Sequence, residues 1–465
     1  MAYFDNAATT FPKPECVYAA MDEFYRRSGG SVGRGSYGKA LSARSLVDET
    51  RQLVGGLLHC PAKQVVYTPT ATIALNMVIQ AIIATGAKNV YITPLEHNAV
   101  TRVLHHFENR KEIRIIQLSV DYKTLLYDLE KIRYQFADVK PDLVIMSHAS
   151  NVIGLIAPVE AIMTLAKEYG ATTVVDMAQT AGLIDLNVGL ESIDFAVFAG
   201  HKTLMGPTGI SGFVMNPAYK LPPVLFGGTG YDSANQDMPD SLPERYEMGT
   251  MNMVGVAGLN AALKWLSTQG IDKIRAEEEK LRERLLQLLN QYDFLRIVGD
   301  VVGREYVGIV SCLMEGISSD AAGSIFSERN IAVRTGLQCA PLAHQFLGTF
   351  PAGTIRFSVK CIAGFCKTCR TGTSCSARCF RAASPQKGSW RSQRRGSIAS
   401  PVMIGSNRKC AGNHPLSAGS PRQGATHRLD RCIVAPLLRK GFPGYPPFHA
   451  FCNYFLHATL RKCLF

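Results

Sequence analysis

A carboxylate, an amide, an imidazole and an amine follow two short apolar runs in the middle of the chain. The runs at 172–175 and 193–198 are rich in β-branched and aromatic residues, which is typical of buried parallel strands. Asp176 and Gln179 follow the first run, and His201 and Lys202 follow the second. Because the carboxyl ends of parallel strands gather at one edge of an open α/β sheet, we expect these side chains to share one crevice.

The combination of a lysine with a carboxylate indicates a particular cofactor. Pyridoxal phosphate needs a lysine amine to bind its aldehyde, and an acidic side chain to keep its ring nitrogen protonated so that the ring accepts electrons. Asp176 and Lys202 are 26 positions apart, and such a pair is also compatible with ordinary surface residues. The surrounding motifs therefore decide between the two interpretations.

The chain resembles the cysteine desulfurase branch of the class V aminotransferases. The resemblance is carried by VVDMAQ at 174–179, GHK at 200–202 and GPTG at 206–209. It implies the fold type I architecture of pyridoxal phosphate enzymes, an α/β fold. A large domain with a mostly parallel seven-stranded sheet flanked by helices is expected, together with a smaller α+β C-terminal domain.

The same resemblance implies roles for the four polar side chains. Asp176 would pair with the ring nitrogen of the cofactor, and Gln179 would hydrogen-bond the ring hydroxyl. His201 would contact the phosphate, and Lys202 would carry the cofactor.

A phosphate site is expected where an apolar helix at 73–83 follows the strand at 65–67. Helix N-termini present free N–H groups to anions, and the resemblance makes Ala71 and Thr72 phosphate ligands. Simple N-capping explains the threonine without any ligand. Ile73 departs from the family pattern, which usually has an acid at this position.

Two further strand ends carry candidate cofactor residues. His97 follows the strand at 89–93, and the resemblance places its ring over the cofactor, where it could stack and relay protons. Asn151 follows the strand at 143–146 and would reach the cofactor ring or the substrate amine. His148 in the same segment is equally compatible with a buried structural histidine.

The segment GTMN at 249–252 resembles a family loop near a dimer interface. The resemblance implies that Thr250 contacts the phosphate bound by the other subunit. An obligate homodimer follows, because each site would lack a phosphate contact in the monomer.

The segment RTGLQCA at 334–340 distinguishes between reactions. Transaminases of this fold need no cysteine, whereas desulfurases need a thiolate that attacks the substrate sulfur and becomes a persulfide. The match to Arg-x-Gly-x-x-Cys-Ala makes Cys339 the expected nucleophile, on a loop near Arg334, where a cation favours the reactive thiolate. A single cysteine is otherwise more often an inert buried residue.

Three residues are expected to bind substrate in addition to Asn151. Arg356 belongs to an Arg-x-Ser segment whose arginine binds the substrate α-carboxylate in the family, a role that suits a planar guanidinium. Asn6 and Ala8 lie in an N-terminal segment that crosses the mouth of the active site in similar proteins. An ordinary helix start explains the threonines and prolines of that segment equally well.

The sequence thus predicts a pyridoxal phosphate-dependent cysteine desulfurase that converts L-cysteine to L-alanine. Lys202, Cys339 and His97 are the expected catalytic residues, and a sulfur-acceptor protein is a possible partner. Two alternatives remain: a selenocysteine lyase or another class V aminotransferase or lyase, and an inactive scaffold whose C-terminus is altered.

The bulk composition divides the chain near residue 360. Of 465 residues 46% are hydrophobic, and the net charge is +13. Residues 360–465 hold 18 Lys and Arg against one acid, and nine of the 13 cysteines. Residues 1–359 hold 32 basic and 36 acidic residues. With no long apolar run and four scattered cysteines in this body, we expect a cytoplasmic protein with no bound metal, no membrane contact and no nucleic-acid partner.

We expect four regions: an N-terminal arm at 1–20, a large pyridoxal phosphate-binding domain at 21–255, a truncated small domain at 256–359 and a basic, cysteine-rich tail at 360–465. The tail has three interpretations, a zinc or cluster site, a disordered basic arm and out-of-frame translation. The third is favoured, because charge and cysteine content change where the resemblance stops.

Overall fold

A computed structural model describes residues 1–32, 35–231 and 234–360. The strands in these stretches are β1 (Ala2–Tyr3), β2 (Gln64–Thr68), β3 (Asn89–Ile92), β4 (Arg114–Gln117), β5 (Leu143–Ser147), β6 (Thr172–Asp176), β7 (Phe195–Ala199), β8 (Ser211–Met215), β9 (Leu295–Val298), β10 (Ile309–Met314), β11 (Ile331–Ala332), β12 (Arg334–Gly336) and β13 (Thr354–Ser358). The helices are α1 (Glu15–Glu23), α2 (Gly38–Leu57), α3 (Ala71–Ala84), α4 (Asn98–Asn109), α5 (Leu129–Asp138), α6 (Val159–Glu168), α7 (Met253–Gln269), α8 (Ile271–Leu289), α9 (Ser319–Glu328) and α10 (Pro341–Phe346).

The larger sheet has seven strands in the order β2-β8-β7-β6-β5-β3-β4. The strands from β7 to β4 pair in parallel, and β8 is antiparallel to both β7 and β2. Alternate side chains of β6 enter different hydrophobic clusters, Val174 one and Val175 the other, so both faces of the sheet are covered. The apolar composition of the central strands follows from this burial. The expected fold class is confirmed.

The parallel strands bring the predicted site residues to one edge. Ser147, at the end of β5, lies beside Asp176 at the end of β6, and Asp176 lies beside Val197 of β7. Lys202 follows β7 by three residues, and His97 lies at the start of α4, after β3.

A second, antiparallel sheet has the order β12-β13-β10-β9. The N-terminal strand β1 pairs in parallel with β11, and Asp5 forms an isolated bridge with Ser358 at the end of β13. The N-terminal segment is therefore attached to the sheet that carries Arg356.

The predicted element bounds differ from the observed ones by a few residues. The helix expected at 73–83 is α3, and the strands expected at 65–67, 89–93 and 143–146 are β2, β3 and β5. The short strand β12 was not predicted. None of the helices in the described stretches combines the length and hydrophobicity that crossing a bilayer requires. The domain bounds stay predictions, and the tail from Cys361 lies outside the described residues.

Candidate active site

A cavity of about 190 Å³ opens at the carboxyl edge of the seven-stranded sheet. Eight of the predicted cofactor residues line it: Ala71, Thr72, His97, Asn151, Asp176, Gln179, His201 and Lys202. A larger, open groove of about 670 Å³ runs along α5 and α6, and its polar lining is mainly acidic. Only the smaller cavity contains a lysine together with a carboxylate and imidazoles, so it is the candidate active site.

Lys202 and Asp176 are the charged pair of this cavity. Burial lowers the pKa of Lys202, and the neighbouring Asp176 carboxylate opposes that shift. Burial raises the pKa of Asp176, while the backbone N–H of Ala178, 2.9 Å from its Oδ1, and Lys202 act in the opposite direction. A lysine with a lowered pKa has a larger fraction of neutral amine, the form that attacks a carbonyl.

The N-terminal segment fixes the turn that carries Lys202. The Thr10 hydroxyl donates to the Lys202 carbonyl at 2.7 Å, and the Thr10 N–H donates to the His201 carbonyl at 3.1 Å. The turn also needs a glycine, because a Cβ at Gly200 would lie 2.2 Å from the carbonyl oxygen of Ile210. The backbone that carries Lys202 is therefore bonded to Thr10 and packed closely against the Ile210 carbonyl.

The start of α3 and His201 form the polar end of the cavity. Thr70 is the N-cap, and its hydroxyl accepts from the Ile73 N–H at 3.2 Å. The capping role thus belongs to Thr70 rather than to Thr72, which leaves Thr72 and the first N–H groups of the helix for an anion. His201 Nδ1 is buried without a hydrogen-bond partner among the described residues. Burial lowers the pKa of His201 to about 4.

His97 has a defined tautomer because it is the N-cap of α4. Its Nδ1 accepts a hydrogen bond from the Ala99 N–H at 3.0 Å, so in the neutral ring the proton is on Nε2. Burial and then the positive charge of Lys202 lower the pKa of His97 to about 4. The ring is neutral near pH 7.

Glu96 connects the end of β3 to the end of β5. Its Oε1 accepts from the Thr93 hydroxyl at 2.6 Å and from the Ser147 N–H at 2.9 Å, and its Oε2 accepts from the Ser147 hydroxyl at 2.7 Å. The side chain is fully buried, and burial raises its pKa to about 7.

Asn151 contacts both the arginine and the cysteine segments. Its Nδ2 donates to the Gln338 carbonyl at 2.7 Å, and its own carbonyl accepts from Arg356 Nη1 at 2.8 Å. Arg356 Nη2 also donates to Asp5 Oδ1 at 2.9 Å. Asn151 Oδ1 and Arg356 Nε are buried without a partner among the described residues, so each retains a polar atom for a ligand.

Cys339 is an exposed residue in the turn between β12 and α10. Its carbonyl accepts from the Asn98 N–H at 2.7 Å, which ties the turn to the start of α4. Gln338 and Cys339 have φ angles of 41° and 59°, a left-handed conformation that costs of order 1–3 kcal/mol for each non-glycine residue.

Five predicted residues lie outside the cavity lining: Cys339 and Arg356, described above, and Asn6, Ala8 and Thr250. Asn6 donates from Nδ2 to the Ser358 carbonyl at 2.9 Å and accepts from the Phe11 N–H at 3.3 Å, so its side chain holds the N-terminal segment in place. Ala8 belongs to the same segment, and Thr250 is exposed before α7. Their roles toward substrate and the second subunit stay predictions.

The residues of the cavity fit pyridoxal phosphate. Asp176 and Lys202 supply the carboxylate and amine that the cofactor requires, and a helix N-terminus lies beside the unpartnered His201 Nδ1. Within the described residues no group of three or more His, Cys, Asp or Glu side chains is arranged to hold a metal ion.

Sequence reasoning missed three residues of this region: Thr70, Asp5 and Gln338. Thr70 follows from the capping rule, since it is a threonine immediately before Ala71, the first residue of α3. The roles of Asp5 and Gln338 depend on partners distant in sequence, and no local pattern indicates them.

Comparisons with known proteins agree with this geometry. The family model for Aminotransferase class-V matches residues 2–364. A probable cysteine desulfurase of Pyrococcus abyssi is 32% identical over 346 residues, which cover 73% of this chain and 84% of the relative. One of Streptomyces coelicolor is 31% identical over 354 residues, covering 73% and 83%.

Solved structures show the same relationship. The apo structure of cysteine desulfurase from Thermococcus onnurineus is 30% identical with a TM-score of 0.69, and the alignment covers 77% of this chain and 90% of that one. A cysteine desulfurase structure from Escherichia coli is 26% identical with a TM-score of 0.66, covering 77% and 89%. The fold of this chain, its lysine cavity and these relatives together establish that the chain belongs to the class V aminotransferases, in their cysteine desulfurase branch.

Proposed function

We propose that the protein is a pyridoxal phosphate-dependent cysteine desulfurase that converts L-cysteine to L-alanine and holds the sulfur as a persulfide on Cys339. The observation that carries the proposal is the position of Cys339. It is exposed, yet its carbonyl is bonded at 2.7 Å to the first residue of α4, which follows His97 of the cavity. A thiol held beside a lysine and carboxylate cavity suits sulfur abstraction, whereas transamination needs no thiol.

The cofactor contacts follow from the lining of the cavity. When bound, pyridoxal phosphate supplies an electron sink for negative charge at the substrate α-carbon. Lys202 would hold its aldehyde carbon, Asp176 its ring nitrogen and Gln179 its ring hydroxyl. Ala71, Thr72 and His201 would hold the phosphate.

Arg356 and Asn151 bind the substrate. The buried Arg356 guanidinium has an unpartnered Nε, which can donate to one oxygen of the α-carboxylate. Asn151 Oδ1, equally unpartnered, can accept from the substrate amine. The two groups are joined through the Asn151 carbonyl, so they are held as one unit.

Lys202 moves the α-proton. Its lowered pKa favours the neutral amine, which can accept a proton at Nζ. His97 is less suited to this step, because its Nδ1 is occupied by the Ala99 N–H and its Nε2 already carries a proton. The His97 ring instead covers the cavity as a neutral, stacking group.

Cys339 takes the sulfur. Its thiolate attacks the substrate sulfur, a bond forms between the two sulfur atoms, and the bond between that sulfur and the substrate β-carbon breaks. The electron pair stays with the carbon, which gains a proton and becomes the methyl group of alanine. The balance is one L-cysteine and one thiol converted to one L-alanine and one persulfide.

A homodimer, a sulfur acceptor and a cytoplasmic location complete the proposal. Thr250 is exposed and does not line its own cavity, which leaves it free to contact the site of a second subunit. Exposure of Cys339 allows a thiol-bearing acceptor to reach the persulfide, and four unpaired cysteines in the described stretches suit a reducing compartment.

Each of these three proposals has its own test. Sedimentation of the holoenzyme as a monomer would refute the homodimer, and recovery of the protein outside the cytoplasm would refute the cytoplasmic location. If labelled sulfur is not transferred from Cys339 to added thiols, the proposed sulfur acceptor is refuted.

Replacing Cys339 tests the proposed reaction. In the Cys339→Ala holoenzyme we expect no sulfide release from L-cysteine and unchanged visible cofactor absorbance. Cys16→Ala, at the other exposed cysteine of the described residues, is the matched control and keeps wild-type turnover. Unchanged desulfuration in Cys339→Ala refutes the assignment. Turnover of selenocysteine alone favours a selenocysteine lyase, amino transfer without sulfide favours a transaminase, and a protein that never binds the cofactor favours a scaffold.

A further inference from the structure

The residue before Cys339 has a buried side chain. Gln338 is 5% exposed, although Cys339 beside it is exposed. The Gln338 amide donates from Nε2 to the Thr354 carbonyl at 2.9 Å. Its Oε1 accepts from His344 Nε2 at 2.9 Å and from the Thr354 hydroxyl at 3.2 Å. The side chain therefore anchors the turn to α10 and β13.

The anchor continues as a chain of buried polar groups. His344 Nδ1 lies 2.7 Å from the Thr349 hydroxyl, and the Thr354 hydroxyl oxygen also lies 3.2 Å from the Ser311 hydroxyl oxygen. Ser311 in turn donates to the Val152 carbonyl at 2.6 Å. Because Gln338 Nε2 faces a carbonyl, its Oε1 must face His344, so the orientation of the amide is fixed.

The backbone of the turn is held independently on the other side. The Gln338 carbonyl accepts from Asn151, and the Cys339 carbonyl accepts from the Asn98 N–H, each at 2.7 Å. Both donors belong to segments at the cavity. The buried Gln338 amide thus bonds the turn to β13 and α10, while the two backbone carbonyls bond it to Asn151 and Asn98 at the cavity.

We propose that Gln338 is a positioning residue for the sulfur-transfer step. Its buried amide keeps two consecutive residues in the left-handed conformation and so holds the turn of Cys339 against the start of α4, next to His97 of the cavity. This inference rests on the proposed role of Cys339 as the nucleophile. Gln338 itself has no chemical role in the step, and its side chain does not line the cavity.

The test distinguishes the effect of losing the Gln338 amide from the effect of changing the backbone conformation of the turn. Glycine adopts positive φ without strain, so Gln338→Gly keeps the turn accessible and removes only the anchor. In the holoenzyme we expect single-turnover persulfide formation to slow about 10-fold or more, since small misplacement of a reacting group is costly. The KM for L-cysteine should stay within about twofold, because Arg356 is untouched. Lys111→Gly, at an exposed left-handed residue just beyond the C-terminal end of α4, is the matched control and keeps wild-type rates.

Two further measurements keep the test decisive. Thr349→Val removes the hydroxyl beside His344 without touching the turn, and we expect a smaller slowing of the same step, also at constant KM. The rate at which iodoacetamide alkylates Cys339, followed by peptide mass spectrometry, should change in Gln338→Gly while the cofactor absorbance does not. Wild-type persulfide formation in Gln338→Gly overturns the inference, as does wild-type behaviour of Thr349→Val if Gln338→Gly does not fold. Absence of persulfide in the wild-type enzyme instead refutes the proposed function.

Discussion

Arg356 and Asp5 form an ion pair across 351 positions of sequence, with 2.9 Å between Nη2 and Oδ1. The Arg356 side chain is almost fully buried, and the Asp5 side chain is only 17% exposed. The pair joins the N-terminal segment to β13, the strand that carries the proposed carboxylate-binding arginine. Asp5 thereby sets the orientation of the guanidinium before substrate arrives.

Replacing Asp5 with asparagine should destabilise the fold. The substitution keeps the size of the side chain but removes the charge that faces the buried guanidinium, and a hydrogen bond to a charged group contributes about 1.5–3 kcal/mol. We expect the free energy of unfolding in urea to fall by about 2 kcal/mol. Asp22→Asn, which breaks the highly exposed pair with Arg26, is the control and should cause no measurable change. Equal stability of Asp5→Asn and wild type would show that the pair is not structural.

Replacing Arg356 with glutamine should weaken substrate binding. Removing a charged partner of a carboxylate costs about 2–5 kcal/mol, which corresponds to a rise in the KM for L-cysteine of about 30-fold or more. Arg356→Lys should fall between this variant and wild type, because it retains the charge but not the planar donor pair. Arg296→Gln, on the exposed edge of the same sheet, serves as the control. A KM unchanged in Arg356→Gln would remove this residue from the substrate site, provided that the cofactor absorbance is retained.

The sequence predicts the cavity well, because its residues follow strands whose burial and order are visible as apolar runs. Asp176, Lys202 and His97 need only the rule that parallel strand ends converge. The contacts of Asp5, Asn6 and Gln338 were not predictable in this way. Asn6 bonds to Ser358, 352 positions away, and such pairings depend on how the two sheets pack.

His97 has two roles that different substitutions can separate. As the N-cap of α4 it accepts a backbone hydrogen bond, and as a ring it covers the cavity. Asparagine is a good N-cap, so His97→Asn should retain stability yet lower kcat by about 10-fold through loss of the stacking ring. His97→Ala loses both functions and should also be less stable by about 1 kcal/mol. Urea unfolding and steady-state kinetics of the two variants provide the comparison, with Ser318→Ala at the N-cap of α9 as a calibration. Equal destabilisation by both substitutions would contradict the capping role.

Glu96 should make the stability of the protein depend on pH. Burial raises its pKa from 4.5 to about 7, so the folded state binds the proton more tightly than the unfolded chain does. Unfolding therefore releases a proton in this window, and the free energy of unfolding falls as pH rises from about 4.5 to about 7, by up to about 3 kcal/mol. Above that range the contribution levels off.

Glu96→Gln should remove this dependence. Glutamine mimics the protonated acid, because its carbonyl oxygen can accept from Thr93 and the Ser147 N–H while its amide donates to the Ser147 hydroxyl. We expect the variant to match wild type at pH 5 and to exceed its stability at pH 8, as measured by urea unfolding across that range. The buried histidines act in the opposite direction: their lowered pKa values cost stability as pH falls toward 4 in both proteins, so the comparison must be made between variants at each pH. Glu160→Gln, at an exposed position on α6, should leave the pH profile unchanged. Parallel profiles for Glu96→Gln and wild type would mean that Glu96 is ionised in the folded protein throughout, held by its three donors despite complete burial.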